Sequence, residues 1–359
     1  MTPPVGISMY AVLAGLLAAW APASQAAESS LSFTHHDWML VCDNTRTCRA
    51  AGYQDEYADN EPVSVLLTRE AGAGARVTAR VMVGQYDDGV LPRTLAMRID
   101  DRDFGPLRLD GDGATAGLAP PQVAGLLEAL TRDSEILFLG DEEGQRWALS
   151  DRGATAVLLK MDEFQGRLGT PGALVRRGNR SEADLPPPVP APIIRMASVT
   201  GLHPDDGQLT ADPRLRSALM ETLPEDEECT GLEAGEQEVP MEVARLDSDT
   251  MLVSVRCWRA AYNEGYGYWT VGEQAPYEPR LVTTSASYHE NGIIGASQKG
   301  RGLGDCGWHA SWIWDGRQFV QDSELTTGMC RLVAAGGAWQ LPTLVREVVT
   351  AAIGASGPL

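Results

Sequence analysis

Six cysteines, Cys42, Cys48, Cys229, Cys257, Cys306 and Cys330, constrain this chain more than any other feature. What they do depends on the compartment, and the first 27 residues bear on that, because none of them carries a charged side chain. Residues 5–21 are apolar or small, and Ser24 and Ala26 stand at the −3 and −1 positions of a cleavage site. Residues 1–26 therefore read as a signal peptide cut after Ala26. The leader lacks the usual Lys or Arg ahead of its apolar run. The alternative is an uncleaved anchor, since the run is about long enough to span a bilayer. No cysteine sits at the cut, which argues against a lipid anchor. In an exported chain an even cysteine count reads as a disulfide set. Zinc is disfavoured, because its thiolate ligands pair about two to four residues apart. Here five residues separate Cys42 from Cys48, and no CxxC occurs. Many pairings are open, and the expected one is sequential: Cys42–Cys48, Cys229–Cys257 and Cys306–Cys330. Each longer loop would contribute about 3 kcal/mol on the chain-entropy account.

A chain of 359 residues exceeds one ordinary core. Five prolines fall within residues 186–192, a run that forms neither a helix nor an interior strand. Residues 182–193 therefore read as a stiff linker between a domain at 27–181 and a domain at 194–359. Two cysteines precede it and four follow, so each half is able to close its own disulfides. The chain holds 38 glycines and 22 prolines, which favours short strands joined by turns. In the first half, strands are expected at 38–41, 63–68, 76–83, 95–99, 107–109, 136–139 and 147–149. Pro120-Pro121 opens one helix, and Asp151 is placed to cap a second over 154–168. In the second half, Asp212 and Pro213 start a short helix over 213–222. Strands follow at 251–258, 266–271, 280–285 and 292–298. Asp315-Gly316 between alternating runs signals a hairpin with a type I′ turn, and residues 341–353 are ambiguous between strand and helix. The fold class expected is mostly β (α+β). It comprises an N-terminal β-sandwich-like domain with two helices and a C-terminal disulfide-tied antiparallel β-meander or barrel.

The balance of 29 basic and 49 acidic residues, a net charge of −20, repels nucleic acid and anionic lipid. Residues 302–307 match GxGxxG but precede a Trp-rich hairpin rather than a helix, so they read as a turn. Neither GxSxG nor SxxK occurs. His35-His36, near the expected mature terminus, could take a copper or zinc ion, but adjacent imidazoles at a frayed end are usually solvated. Asp100-Asp101-Arg102-Asp103 and Asp110-Gly111-Asp112-Gly113 hint at calcium, yet neither continues into an EF-hand loop. The acidic run at 225–238 reads as a solvated face. No cofactor and no metal are expected.

One cluster is less bland. Trp258, Tyr262, Tyr266, Tyr268, Trp269, Tyr277, Trp308, Trp312, Trp314 and Trp339 all lie in the second half. Rings at loops beside hydrogen-bonding side chains suit a glycan or peptide groove, whereas rings on strands simply fill a small β core. The candidate binding surface is Tyr262, Asn263, Trp269, Asp305, Trp308, His309 and Trp312.

The stretches HDWMLVCDNTRTCRAAGY, LLKMDEFQGRLGTPGALVRRG, RCWRAAYN and GRGLGDCGWHASWIWDGRQF together resemble the family called domain of unknown function 1176. Its members are exported proteobacterial proteins with six cysteines. Residues 31–180 are also similar to invasion-associated locus B proteins, in the Trp38-x-x-x-Cys42 opening and the later Asp-rich and small-helix segments. These resemblances imply export, six paired cysteines and a two-domain plan. The larger family has no established activity, so no catalytic residue carries over, and the second likeness implies a role in envelope or host interaction. The expectation is a non-catalytic periplasmic protein that binds an unknown protein, peptide or glycan of the cell envelope, with no membrane span after leader removal. The alternatives are an envelope-acting hydrolase with Asp305 and His309 as its acid–base pair, and a structural or stress-related envelope factor.

Overall fold

Alternation of inward and outward side chains shapes strands such as Thr78–Val83 and Thr94–Ile99. The computed structural model describes residues 30–57, 61–84, 91–111, 114–233 and 239–350. The expected signal peptide lies outside the described residues, as do Asp112, Gly113, Glu236 and Glu238. The first half contains β1 (Leu31–His35), β2 (Trp38–Cys42), β3 (Cys48–Tyr53), β4 (Val63–Arg69), β5 (Thr78–Val83), β6 (Thr94–Ile99), β7 (Arg102–Arg108) and β8 (Thr115–Gly117). Helix α1 (Pro120–Ala129), β9 (Ile136–Leu139), β10 (Arg146–Leu149) and α2 (Ala154–Phe164) complete it. Strands β1-β2-β3-β4-β5-β8 form one antiparallel sheet and β10-β9-β6-β7 a second. Trp38, Leu40, Val65 and Leu67 of the first sheet share a core with Phe138 and Trp147 of the second and with Leu126 and Leu158 of the helices.

Two local expectations need correction. Asp151 does not cap α2: its carboxylate accepts the Ser134 amide at 2.9 Å. Gly153 stands at the cap in the left-handed region (φ 96°). A Cβ there would fall 2.0 Å from the His35 carbonyl oxygen, so the helix starts where only glycine fits. His35 and His36 are not a frayed end either. They sit at the turn joining β1 and β2, with ring centroids 4.4 Å apart.

The second half contains β11 (Ile193–Met196), α3 (Pro213–Met220), β12 (Glu242–Arg245), β13 (Thr250–Arg259), β14 (Glu264–Gly272), β15 (Arg280–Ala286) and β16 (Tyr288–Glu290). After these come β17 (Ile293–Lys299), β18 (Gly307–Trp314), β19 (Phe319–Thr326), β20 (Leu341–Val345) and β21 (Glu347–Thr350). Two antiparallel meanders result, β12-β13-β14-β15 and β16-β17-β18-β19-β20, and β11 pairs in parallel with β21. Asp212 caps α3 by accepting the Arg214 amide at 2.8 Å, as its position before Pro213 implies. The β18–β19 hairpin forms, but its turn is not the two-residue type I′. Trp314 pairs with Phe319, which leaves Asp315–Gln318 as a four-residue loop. Asp315 Oδ1 accepts the amides of both Arg317 and Gln318 at 2.8 Å, and that side-chain bracket selects the longer loop. The ambiguous 341–350 stretch is strand throughout, apart from Arg346.

All three disulfides connect in sequential order, across 6, 28 and 24 residues. The first clips neighbouring strands β2 and β3, and the second fastens the segment after α3 to β13. The third ties the start of β18 to the loop 327–340. That loop and β20 meet the outer face of the first sheet. Val41, Ala51 and Tyr53 bury against Val333, Ala338, Trp339 and Leu341. Polar bonds fix the contact: Trp339 Nε1 donates to Ser64 Oγ at 2.7 Å, Gln54 Nε2 to the Arg331 carbonyl at 2.7 Å, and Arg331 pairs with Asp37 at 3.0 Å. The proline run does not project as a free spacer. Its Pro187 carbonyl accepts from Arg46 Nη1 at 3.0 Å, and the Val189 amide donates to the Thr45 carbonyl at 3.1 Å.

Candidate functional site

Strand β14 divides its aromatics between two layers. Trp269 and Val271 point into the core shared with Leu215 and Leu219 of α3. Tyr266 and Tyr268 point the other way, toward the five-stranded sheet, where they join Trp308, Trp312 and Trp314 of β18. The period of two decides which rings are structural and which reach a surface. Trp269 is fully buried, with Nε1 donating to Thr222 Oγ1 at 2.8 Å, and Trp312 is only 9% exposed. Both belong to cores, and neither offers a face to a ligand. Trp308 is half-buried and donates from Nε1 to Glu324 Oε1 at 3.0 Å.

Asn263 is a structural clamp. Its amide group pairs with the Lys299 backbone in both directions, each bond 2.9 Å, so the β13–β14 turn is bound to the end of β17. Tyr262 beside it is 46% exposed, with its hydroxyl 3.5 Å from the Gly300 carbonyl oxygen. Asp305 is 5% exposed and accepts a two-point fork from Arg301 at 2.7 and 2.6 Å, together with the Leu332 amide at 2.7 Å. Burial raises its pKa, but the Arg301 fork and the Leu332 amide outweigh it and hold the carboxyl below the usual range. His309 is half-buried on β18, opposite Ser297 and Leu325. Asp305 and His309 make no hydrogen bond to each other, and each has different neighbours.

A cleft opens instead at the edge of the second half, where β12, β13, β14 and β16 meet. It is about 370 Å³ in volume, and Glu242, Ser254, Glu264, Tyr266, Tyr268, Ser287, Tyr288 and His289 line it. Tyr288, 52% exposed, lies flat on β17: a Cβ at Gly295 would fall 2.3 Å from its ring. Burial pushes the Tyr268 phenol up to about 12, with Ser254 opposing the shift and the Glu242 charge adding to it. His289 faces the Tyr268 and Phe319 rings at centroid distances of 6.2 and 6.3 Å. Its Nε2 is buried with no hydrogen-bond partner. Glu242, Tyr288 and His289 were not in the sequence-derived surface. The readable signal was Tyr266-x-Tyr268, two polar rings on one face of a strand.

Burial holds His289 below its ordinary value of 6.5. The unfolded chain then takes up a proton as pH drops below about 6.5, while the folded chain resists until a lower pH. Folding stability is therefore expected to decline from about pH 6.5 downward. The variant His289→Gln should flatten that part of the curve relative to wild type, as read by urea denaturation at stepped pH.

A second cleft, of about 520 Å³, lies beside α3 and is lined in part by Asp206, Asp212, Arg245, Glu273 and Tyr277. Its carboxylates are already engaged. Arg245 reaches both Asp206 and Glu273 at 2.5 Å and holds Asp206 down at about 2, while Tyr277 donates its hydroxyl to Asp212 at 2.6 Å.

The sequence profile of a family described as "Protein of unknown function (DUF1176)" matches residues 32–346, most of the chain. The protein belongs to the DUF1176 family. It is similar to the uncharacterised protein YpfG of Escherichia coli (strain K12), with 26% identity over 328 residues, 84% of this chain and 87% of that relative. Among solved structures it is similar to the invasion-associated protein B of Bartonella henselae, with 16% identity and a TM-score of 0.26. That match covers 38% of this chain and 99% of the other. Among the described residues of this DUF1176 protein, no helix is long and apolar enough to cross a membrane.

Proposed function

We propose that this DUF1176 protein is an exported, non-catalytic binding protein of the cell envelope. Its ligand is a peptide, a glycan or another small polar molecule seated among Tyr266, Tyr268 and Tyr288. The observation carrying this reading is the cleft of about 370 Å³, within the usual size of ligand sites, whose three tyrosines combine apolar ring faces with hydroxyl ends. Serines and carboxylates beside the rings supply hydrogen-bond partners to fix a ligand's orientation. Three disulfides support the export half of the proposal, because such bonds persist in oxidising compartments.

Isothermal titration with defined tripeptides and oligosaccharides tests the reading. At least one probe is expected to bind, and Tyr288→Ala is expected to raise its Kd about tenfold, equivalent to about 1.4 kcal/mol. Unchanged affinity in that variant defeats the assignment of the cleft, and turnover of the bound probe replaces binding by catalysis.

A further inference from the structure

Of the three cystines, only Cys306–Cys330 reaches the surface. Cys42, Cys48 and Cys257 have no exposed area and Cys229 is buried, whereas Cys330 is partly exposed. Gly300, itself exposed, lies against this cystine. A Cβ there would fall 2.6 Å from Cys306 Sγ and 3.2 Å from Cys330 Sγ, so no side chain at that position shields the sulfurs. The same cystine sits at the contact between the halves, because both neighbours of Cys330 bond to the first half. The Met329 amide donates to the Tyr53 hydroxyl at 3.1 Å. The Arg331 carbonyl accepts from Gln54, and the Arg331 guanidinium pairs with Asp37. Further along the loop 327–340, Val333, Ala338 and Trp339 bury against Val41, Ala51 and Tyr53. That loop contains neither helix nor strand, so cross-links set its shape. The cystine is the covalent one. It is joined by the bonds of the Leu332 amide to Asp305 at 2.7 Å and of the Gly336 amide to the Gly304 carbonyl at 2.8 Å.

We propose that Cys306–Cys330 is a site of thiol–disulfide exchange, opened by a dithiol reductant, and that its opening loosens the docking of the second half on the first. This is independent of the tyrosine cleft. A thiolate of the reductant attacks Sγ of Cys330, the accessible sulfur, and the new S–S bond forms as the Cys330–Cys306 bond breaks. Cys306 leaves as a thiolate and takes a proton from water. The second thiolate of the reductant then attacks its partner sulfur in the mixed disulfide. That closes the disulfide of the reductant and releases Cys330, which is protonated in turn. Two electrons pass from the dithiol to the cystine. Exchange requires access to a sulfur, so a surface cystine is labile where buried ones persist. Once open, the loop has more conformations available, and ordering it against the first half costs more entropy. An oxidised partner runs the exchange backwards, so the change is reversible.

Timed reduction of the folded chain, with no denaturant, tests the assignment. Dithiothreitol and reduced thioredoxin are applied in parallel, and thiols are trapped with iodoacetamide and located by peptide mass spectrometry. Cys306 and Cys330 are expected to be labelled at least about tenfold faster than the other four cysteines. Faster opening by thioredoxin at equal dithiol concentration identifies a protein dithiol as the reductant, and faster opening by dithiothreitol a small one. Hydroxyl-radical footprinting then reads the docking from both sides. In the selectively opened chain, labelling of the Tyr53 and Trp339 side chains is expected to rise about fivefold, with Trp269, in a separate core, unchanged. Re-forming the cystine with oxidised glutathione is expected to reverse the rise. The variant Cys306→Ser/Cys330→Ser is expected to show the raised labelling without reductant. Should that variant fail to fold, the selectively reduced wild type gives the same reading. If another cystine opens as fast, the exchange site is wrongly assigned. If Tyr53 and Trp339 stay protected after opening, the cystine is a staple with no hold on the docking, and the proposal is overturned.

Discussion

Replacing Asp162 by alanine is expected to cost the first half about 3–5 kcal/mol, the range found when one partner of a buried ion pair is removed. Asp162 lies on α2 with no exposed surface. Oδ1 accepts from Arg69 Nη2 of β4 at 2.7 Å, and Oδ2 accepts the amides of Leu174 and Val175 at 2.7 and 3.1 Å. Arg69 is equally sequestered, and donates in addition to Gln165 Oε1 at 2.7 Å and to the Gly172 carbonyl at 3.3 Å. One carboxylate therefore joins the sheet, the helix and the loop after it. Its removal leaves a buried guanidinium without a counter-charge and two amides without an acceptor, and each is costly inside a protein. Urea denaturation gives the measurement. A loss below about 1 kcal/mol would mean that water enters and solvates Arg69, and the role assigned to Asp162 would be wrong.

Trp339→Ala should produce the second large effect, about 3–5 kcal/mol, the range for truncating a buried aromatic. Its indole fills the contact between the two halves, and Nε1 donates to Ser64 Oγ of β4. The cores on either side are separate clusters, so the change is expected to divide one cooperative unfolding transition into two. Intrinsic fluorescence and circular dichroism followed through the same urea series would show this as non-coincident curves. Trp339→Phe keeps most of the packing and loses the hydrogen bond, and should cost about 1 kcal/mol. A single coincident transition in the alanine variant would show that other contacts, such as Arg331–Asp37 and the bonds of Asn44 to the Val345 backbone, are enough to couple the halves.

The elements were legible where one short-range pattern determines them. Alternating runs marked β4, β5, β9, β10, β13 and β14, and Pro120 and Asp212 marked the starts of α1 and α3. The sequence left many cysteine pairings open, and the sequential one that was expected is the one formed. What sequence did not reveal depends on partners distant in the chain. Asp151 spends its carboxylate on the amide of Ser134, 17 residues away, rather than on the cap its position suggested. Trp269 and Trp312 looked like binding rings, yet strand phase turns both into cores. The cleft takes Glu242, Tyr268 and His289 from three strands, and no local motif joins them. One clue to the contact between the halves was present: Ala50 and Ala51 are adjacent, apolar and both buried. A strand covered on both faces reads as a continuous small apolar run rather than an alternating one.

The parallel pairing of β11 with β21 fixes an order of events. Much of the first half finds partners within itself, whereas Asn44, Val41, Ala51 and Tyr53 are completed only by residues 333–345, and each cystine closes within its own half. Ile193–Met196 must wait for Glu347–Thr350, the last strand described, before its backbone groups find partners. Until then an unpaired strand edge stands open, and the pairing is completed only when β21 reaches it. Chains truncated before Glu347 should be prone to pairing with one another along that edge.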